Sequence, residues 1–247
     1  MLKPIHLQPS QILPQLKQAC NPERSQAYGR EIYKVQMNKQ DYWLKVQKAG
    51  VSKAHELSLE NEIRIYEQIS AFDLNVLAPY ELVNVHEQCG LDQSYLMQGL
   101  LIADGEALFS RDPNTLVSGE TVKILLSSLG VLERLHQMSF LHGDLKTEHF
   151  RVFENKTVLI DLEQAYTFLK QATQKNTATP RYMAPELFHA AEKSIASDMY
   201  ALGIIWLQWL NQEKLQAKTY LEWARLHCQD LKIELPVQFL KFEAVLD

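Results

Sequence analysis

An α+β fold with a small β-rich amino-terminal part and a mostly helical remainder is the class this sequence predicts, and three observations carry it. Before about residue 105 the apolar residues fall mostly in short strand-like runs. After residue 115 they recur at three-to-four-residue spacing over long segments. No internal repeat, low-complexity tract or Pro/Gly-rich linker separates the two regions, so two lobes fit better than two independent domains.

The expected amino-terminal lobe, 1–101, contains the strand-like runs EIYKVQM (31–37), DYWLKVQ (41–47) and YELVNVHE (80–87), with SYLMQGLLI (94–102) at its edge. One helix interrupts them: in SLENEIRIYEQI (58–69), Leu59, Ile63, Tyr66 and, on a flanking face, Ile69 repeat at three-to-four-residue spacing, and Glu and Arg fill the other face. The expected carboxy-terminal lobe, 102–247, carries helices at GETVKILLSSLGVLERLHQM (119–138), SDMYALGIIWLQWL (197–210) and AKTYLEWARLHCQ (217–229), and a short one near 237–246. Between the first two, FRVFE (150–154) and TVLID (157–161) flank Asn155–Lys156 like a small hairpin.

Composition narrows the function. The 247 residues are 46% hydrophobic and 22% charged, enough for a substantial core. A net charge of −5 with dispersed Lys and Arg argues against nucleic acid as a partner. Cys20, Cys89 and Cys228 are odd in number and share no C-x-x-C spacing, which suits a reducing compartment. The segment MLKPIHLQPSQILPQLKQ is broken by Lys, His, Gln and Pro, unlike a signal peptide. The apolar run ALGIIWLQWL (201–210) is roughly half of the ~20 residues a membrane span needs. A soluble, cytoplasmic protein without a transmembrane segment is expected.

The chemistry concentrates in FLHGDLKTEHFRVFENKTVLIDLEQA (140–165). Asp144 precedes the first hairpin strand and Asp161 ends the second, so the two carboxylates lie at one end of the ribbon. A lone Asp most often caps or turns the chain. Two converging carboxylates suit a hard divalent cation and a proton acceptor, the needs of phosphoryl transfer to a hydroxyl.

HGDLKTEHF resembles the H-R-D-L-K-x-x-N catalytic loop of the protein-kinase-like superfamily, IDLE stands where D-F-G would be, and ATPRYMAPE (178–186) resembles the end of a Ser/Thr-kinase activation segment. The resemblance implies a bilobal protein-kinase-like fold with a hinge near 98–104, and an abbreviated carboxy-terminal lobe because few residues follow Leu210. It makes Asp144 the base that orients the acceptor hydroxyl and Lys146 the group that neutralises the moving phosphoryl. Asp161 becomes the Mg²⁺ ligand, and His149 takes the place of the second metal ligand, where an imidazole is a softer donor and makes Mn²⁺ a further candidate. Lys45 would hold the ATP phosphates with Glu62 as its partner. Thr179 and the Glu186 of A-P-E would shape the acceptor site, and Asp198 would anchor the catalytic loop while also suiting a helix amino terminus. Substrates implied are ATP and a protein Ser or Thr.

Departures from the pattern imply alternatives. Of G-x-G-x-x-G only Gly29 remains, with Arg24 and Gln26 in the earlier glycine places, so the phosphate clamp is expected to weaken or to use other donors. Glu163 replaces the D-F-G glycine and stiffens the segment. HGD lacks the Arg of H-R-D, which leaves no evident receiver for a phosphate on Thr173 or Thr177 and implies basal activity without phosphorylation. HGDL, His149, D-L-E and Trp43 also resemble bacterial lipopolysaccharide-core sugar kinases and aminoglycoside phosphotransferase-like enzymes, with a sugar or small-molecule acceptor. A third reading is a pseudokinase that binds nucleotide or a partner without turnover.

Overall fold

The computed structural model describes residues 8–168 and 178–246, so Thr173 and Thr177 lie outside the described residues. The chain divides into two compact units, one ending at Gly105 and the other beginning at Glu106. The division lies past residue 101 because the last strand of the first sheet runs on to Ala103. A sheet dominates the first unit and helices the second, the α+β arrangement expected.

In the first unit, short helices α1 (Pro9–Ile12) and α2 (Glu23–Ala27) precede β1 (Arg30–Met37) and β2 (Gln40–Gln47). Helix α3 (Lys53–Ser70) follows, then β3 (Tyr80–Asn84), α4 (Val85–Cys89) and β4 (Gln98–Ala103). The four strands form an antiparallel sheet in the order β1-β2-β4-β3. Leu44, Val46, Leu100 and Leu101 are buried in the two central strands, and Leu59, Ile65, Tyr66 and Ile69 of α3 are buried as well. Each such aliphatic side chain contributes about 1.5–3 kcal/mol by leaving water.

Two strand expectations are corrected. VHE (85–87) is helical, because the Asn84 side chain accepts from the backbone N–H groups of His86 and Glu87 and so caps α4. Gly90, at φ +74°, ends that helix. Residues 94–97 stay outside the ladder except for a single bridge between Lys48 and Tyr95.

The second unit opens with β5 (Glu106–Ala107) and helix α5 (Ser118–Gln137). Strands β6 (Phe140–Leu141), β7 (Phe150–Phe153), β8 (Lys156–Leu159) and β9 (Tyr166–Thr167) come next. They form the groupings β5-β7-β8 and β6-β9. The β7–β8 register pairs Phe153 with Lys156, so the two-residue turn is Glu154–Asn155, one residue earlier than expected. Both have positive φ, 46° and 63°, as a type I′ turn requires.

Helix α6 (Pro185–Phe188) leads to α7 (Ile195–Asn211); Ile195 and Met199 in its first turns are exposed, but its large apolar residues from Leu202 to Leu210 are buried on every side, as befits a helix at the centre of a core. Trp206 Nε1 donates to the buried Ser128 Oγ of α5 at 2.9 Å, fixing the two helices to each other. The helix expected over 217–229 is α8 (Tyr220–Arg225) continued by a π turn, Leu226–Asp230. The final segment is a 3₁₀ turn, Val237–Phe242, followed by α9 (Glu243–Leu246). Among the described residues no helix is long and apolar enough to cross a membrane.

Candidate active site

In the first unit, Lys45 lies on β2, hydrogen-bonded into the sheet on both sides, opposite Ile32 and Leu100. Its Nζ is 2.7 Å from Glu62 Oε2 on α3, and both residues are buried. Burying two charges costs several kcal/mol per ion, and a well-packed apolar pair would commonly serve stability as well or better. The pair therefore points to a use for charge at this place.

The stretch before β1 departs from a glycine-rich loop. Arg24 and Gln26 belong to α2, a helical turn in which the N–H groups of Ser25 and Gln26 donate to Pro22 O. Tyr28 N–H donates to Ser25 O and Gly29 N–H to Gln26 O, at 3.1 and 2.8 Å. These amides are occupied within the turn rather than turned toward an anion. Gly29 has φ +84°, and a Cβ on it would lie 2.7 Å from Gln47 Nε2. What this position supplies is the tight left-handed entry into β1, open to glycine alone.

In the second unit, the loop after β6 is held from beneath by Asp198 in the first turn of α7. Asp198 is buried; its Oδ2 accepts from His142 N–H at 2.8 Å and its Oδ1 from Gly143 N–H at 2.9 Å. His136 Nε2, at the end of α5, lies 3.0 Å from Oδ2. Gly143 has φ +77°, and a Cβ there would come within 2.7 Å of Gln164 O. The loop thus passes through a conformation and a gap that both select glycine.

Asp144 follows directly. Its Oδ2 is 3.0 Å from Lys146 Nζ, and its Oδ1 accepts from Thr179 N–H at 2.7 Å. The segment beginning at Ala178 therefore reaches Asp144 through the Thr179 backbone, and among the described residues the Thr179 hydroxyl makes no such bridge. Burial works against the Lys146 ammonium, but the charges of Asp144 and Asp161 more than offset it and raise its pKa. Lys146 stays a cation at neutral pH.

His149 closes the 3₁₀ turn Thr147–His149 and is buried. Its Nε2 lies 3.1 Å from Asp161 Oδ2, its carbonyl accepts from Ile160 N–H, and its ring stacks on His142 at 5.2 Å. Burial, followed by the neighbouring His149, pushes His142 down to about 4, so it is neutral. Asp161 sits just beyond β8 at φ +62°, a left-handed conformation that Asp tolerates better than most residues. Its side chain remains about a third exposed. An accessible carboxylate oxygen is the type of donor that could hold a hard divalent cation.

Further along, Thr147 Oγ1 is 3.2 Å from Tyr182 OH, and Ala184–Pro185–Glu186 begins α6. The backbone carbonyl of Glu186 accepts from His189 and Ala191 N–H, while its carboxylate makes no ion pair among the described residues. A hollow beside Asp144 is lined by Gly143, Thr179, Met183, Leu187 and Ala201 among others. Sequence reasoning missed His136 and His142, which frame the loop. The histidine preceding Gly143 in HGD was a visible signal for one; His136, in the last turn of α5, had none.

The protein kinase domain family matches residues 29–239, and the chain belongs to it. Members of this family use ATP with divalent metal ions. The chain is 29% identical over 157 residues to human calcium/calmodulin-dependent protein kinase type 1B, covering 61% of this chain and 43% of that protein. It is 27% identical over 214 residues to calcium/calmodulin-dependent protein kinase cmkB of Emericella nidulans, covering 79% and 51%. To the G2-specific protein kinase fin1 of Schizosaccharomyces pombe it is 26% identical over 236 residues, covering 82% and 31%. The chain thus spans about half or less of the length of these relatives.

The role of His149 can be tested by substitution. His149→Ala removes the hydrogen bond to Asp161 and is expected to lower phosphoryl transfer by about 10-fold or more. His149→Asn, whose amide can again donate to the carboxylate, is expected to recover most of the rate with an unchanged ratio of Mg²⁺- to Mn²⁺-supported activity. A shift of that ratio toward Mg²⁺ in the Asn variant would instead identify the imidazole as a metal ligand.

Proposed function

We propose that this chain is an ATP-dependent phosphotransferase that moves the γ-phosphoryl group to the hydroxyl of Ser or Thr in a protein, with Mg²⁺ as its ordinary cation. The observation that carries the reading is the constellation around Asp144: one carboxylate oxygen paired with Lys146, the other receiving Thr179 N–H, on a loop whose amides Asp198 holds. Asp144 orients the attacking hydroxyl and takes its proton as the bond to phosphorus forms. Lys146 sets a positive charge beside the group being transferred. Lys45, kept extended by Glu62, supplies the cation for the nucleotide phosphates. Asp161 would hold the divalent ion, which when bound neutralises phosphate charge. The ATPRYMAPE segment, with Thr179 at Asp144 and Glu186 opening α6, favours a protein acceptor over a sugar.

One observation favours a second reading, a nucleotide- or partner-binding pseudokinase: the amides before Gly29 are spent inside a helical turn. Incubation with γ-labelled ATP, Mg²⁺ or Mn²⁺, and generic protein substrates or sugars separates the readings. Label on protein Ser or Thr, abolished by chelation of the metal, is the expected result. Label on sugar alone, or nucleotide binding without transfer, overturns it.

A further inference from the structure

Lys193 is a buried cation that the proposed reaction does not yet use. It directly precedes Ser194, the residue that caps α7, and its backbone carbonyl accepts from the Tyr166 hydroxyl of β9 at 3.0 Å. Its side chain runs alongside the catalytic loop: a Cβ built on Gly143 would lie 3.2 Å from Lys193 Cδ and 3.3 Å from its Nζ. The end of the lysine therefore occupies room that exists because residue 143 has no side chain, one position before Asp144.

The charges nearby give this placement a purpose. Asp198 is buried and accepts from two neutral amides and from His136. Neutral amides satisfy its lone pairs without cancelling its charge, and a buried uncompensated carboxylate is costly. Asp144 brings a second carboxylate to the same loop. Burial holds the pKa of Lys193 below the usual lysine value, outweighing the opposing charges of Asp144 and Asp198, and those two contributions put the lysine within the field of both acids. Gly143 offers no cation at its own position.

We infer that Lys193 is a positioning residue for phosphoryl transfer: its ammonium fills the gap above Gly143 and offsets the Asp144 and Asp198 charges, holding the catalytic loop in register. Lys146 screens Asp144 from one side, and Lys193 acts from the base of the loop, beside Gly143. The kinetic part of this inference rests on the phosphotransferase reading; the conformational part does not.

The test compares Lys193→Met, which keeps much of the length and removes the charge, with Lys193→Arg, which retains the charge. Amide hydrogen exchange at His142 and Gly143, the two N–H groups held by Asp198, is expected to accelerate about 10-fold or more in the Met variant, a local opening that leaves the α7 amides of 202–210 protected. In the Arg variant it should stay within ~3-fold of the unmodified protein, and kcat in the Met variant should fall about 10-fold with KM for ATP within ~2-fold. Unchanged exchange at the loop, equal acceleration throughout α7, an Arg variant as impaired as Met, or an unaffected kcat overturns the inference. If the unmodified chain transfers no phosphate, the functional reading fails, while the exchange measurement still decides the role of Lys193. Should Lys193→Met not fold, Lys193→Gln is subjected to the same measurements and criteria.

Discussion

Asp161→Asn is expected to reduce metal-dependent phosphoryl transfer by more than about 10²-fold, because a bound cation contributes several kcal/mol of charge stabilisation and a neutral amide holds it poorly. The fold should survive. Asn adopts the left-handed backbone at φ +62° as readily as Asp, and its amide oxygen can still accept from His149 Nε2 across the 3.1 Å contact. The loss therefore falls on the cation and on nucleotide binding that depends on it. Nucleotide titrations with and without Mg²⁺ check this: the variant should show little gain in affinity when the metal is added, with a thermal midpoint within a few degrees of the unmodified protein. A Mg²⁺ enhancement equal to that of the unmodified chain would remove Asp161 from the metal site.

How much of this was legible in the sequence depended on distance along the chain. Asp144, Lys146, His149 and Asp161 fall within one loop and one hairpin, so short motifs placed them together, and the structure has both Asp144–Lys146 and His149–Asp161 in contact. Lys45 and Glu62 were found by their order in the chain and sit 2.7 Å apart. The supports of the loop were less visible. His136 meets Asp198 across 62 positions, and Lys193 reaches Gly143 from the approach to another helix, contacts without local periodicity. Capping chemistry overrode apparent alternation at Asn84, where an Asn side chain satisfying two helix N–H groups turned an expected strand end into α4. The turn before Gly29 was hidden for a related reason: the Pro22 carbonyl accepts from Ser25 and Gln26, and Glu23 stands in the first turn, where its charge favours the helix amino terminus. Reading that segment against a glycine-rich pattern located the missing glycines without revealing the helix in their place.

Asp144→Asn carries the second large effect and separates chemistry from binding. The substitution is nearly isosteric, and the retained oxygen can still accept from Thr179 N–H, now 2.7 Å from Oδ1. Lost are the negative charge facing Lys146 at 3.0 Å and the capacity to take a proton from the acceptor hydroxyl. An Asn amide turned toward Lys146 would set donor against donor, so the side chain should orient its oxygen to one neighbour and leave the other unmatched. Removal of a general base costs about 10²–10⁴-fold, and kcat is expected to fall in that range while KM for ATP moves by less than ~3-fold. The nucleotide grip assigned to Lys45 and Glu62 lies on other elements, β2 and α3, and is untouched. Single-turnover transfer to a protein substrate, measured alongside ATP affinity, makes the distinction: a collapse of ATP affinity would assign Asp144 to binding, and an unchanged transfer rate would show that this carboxylate is not the base.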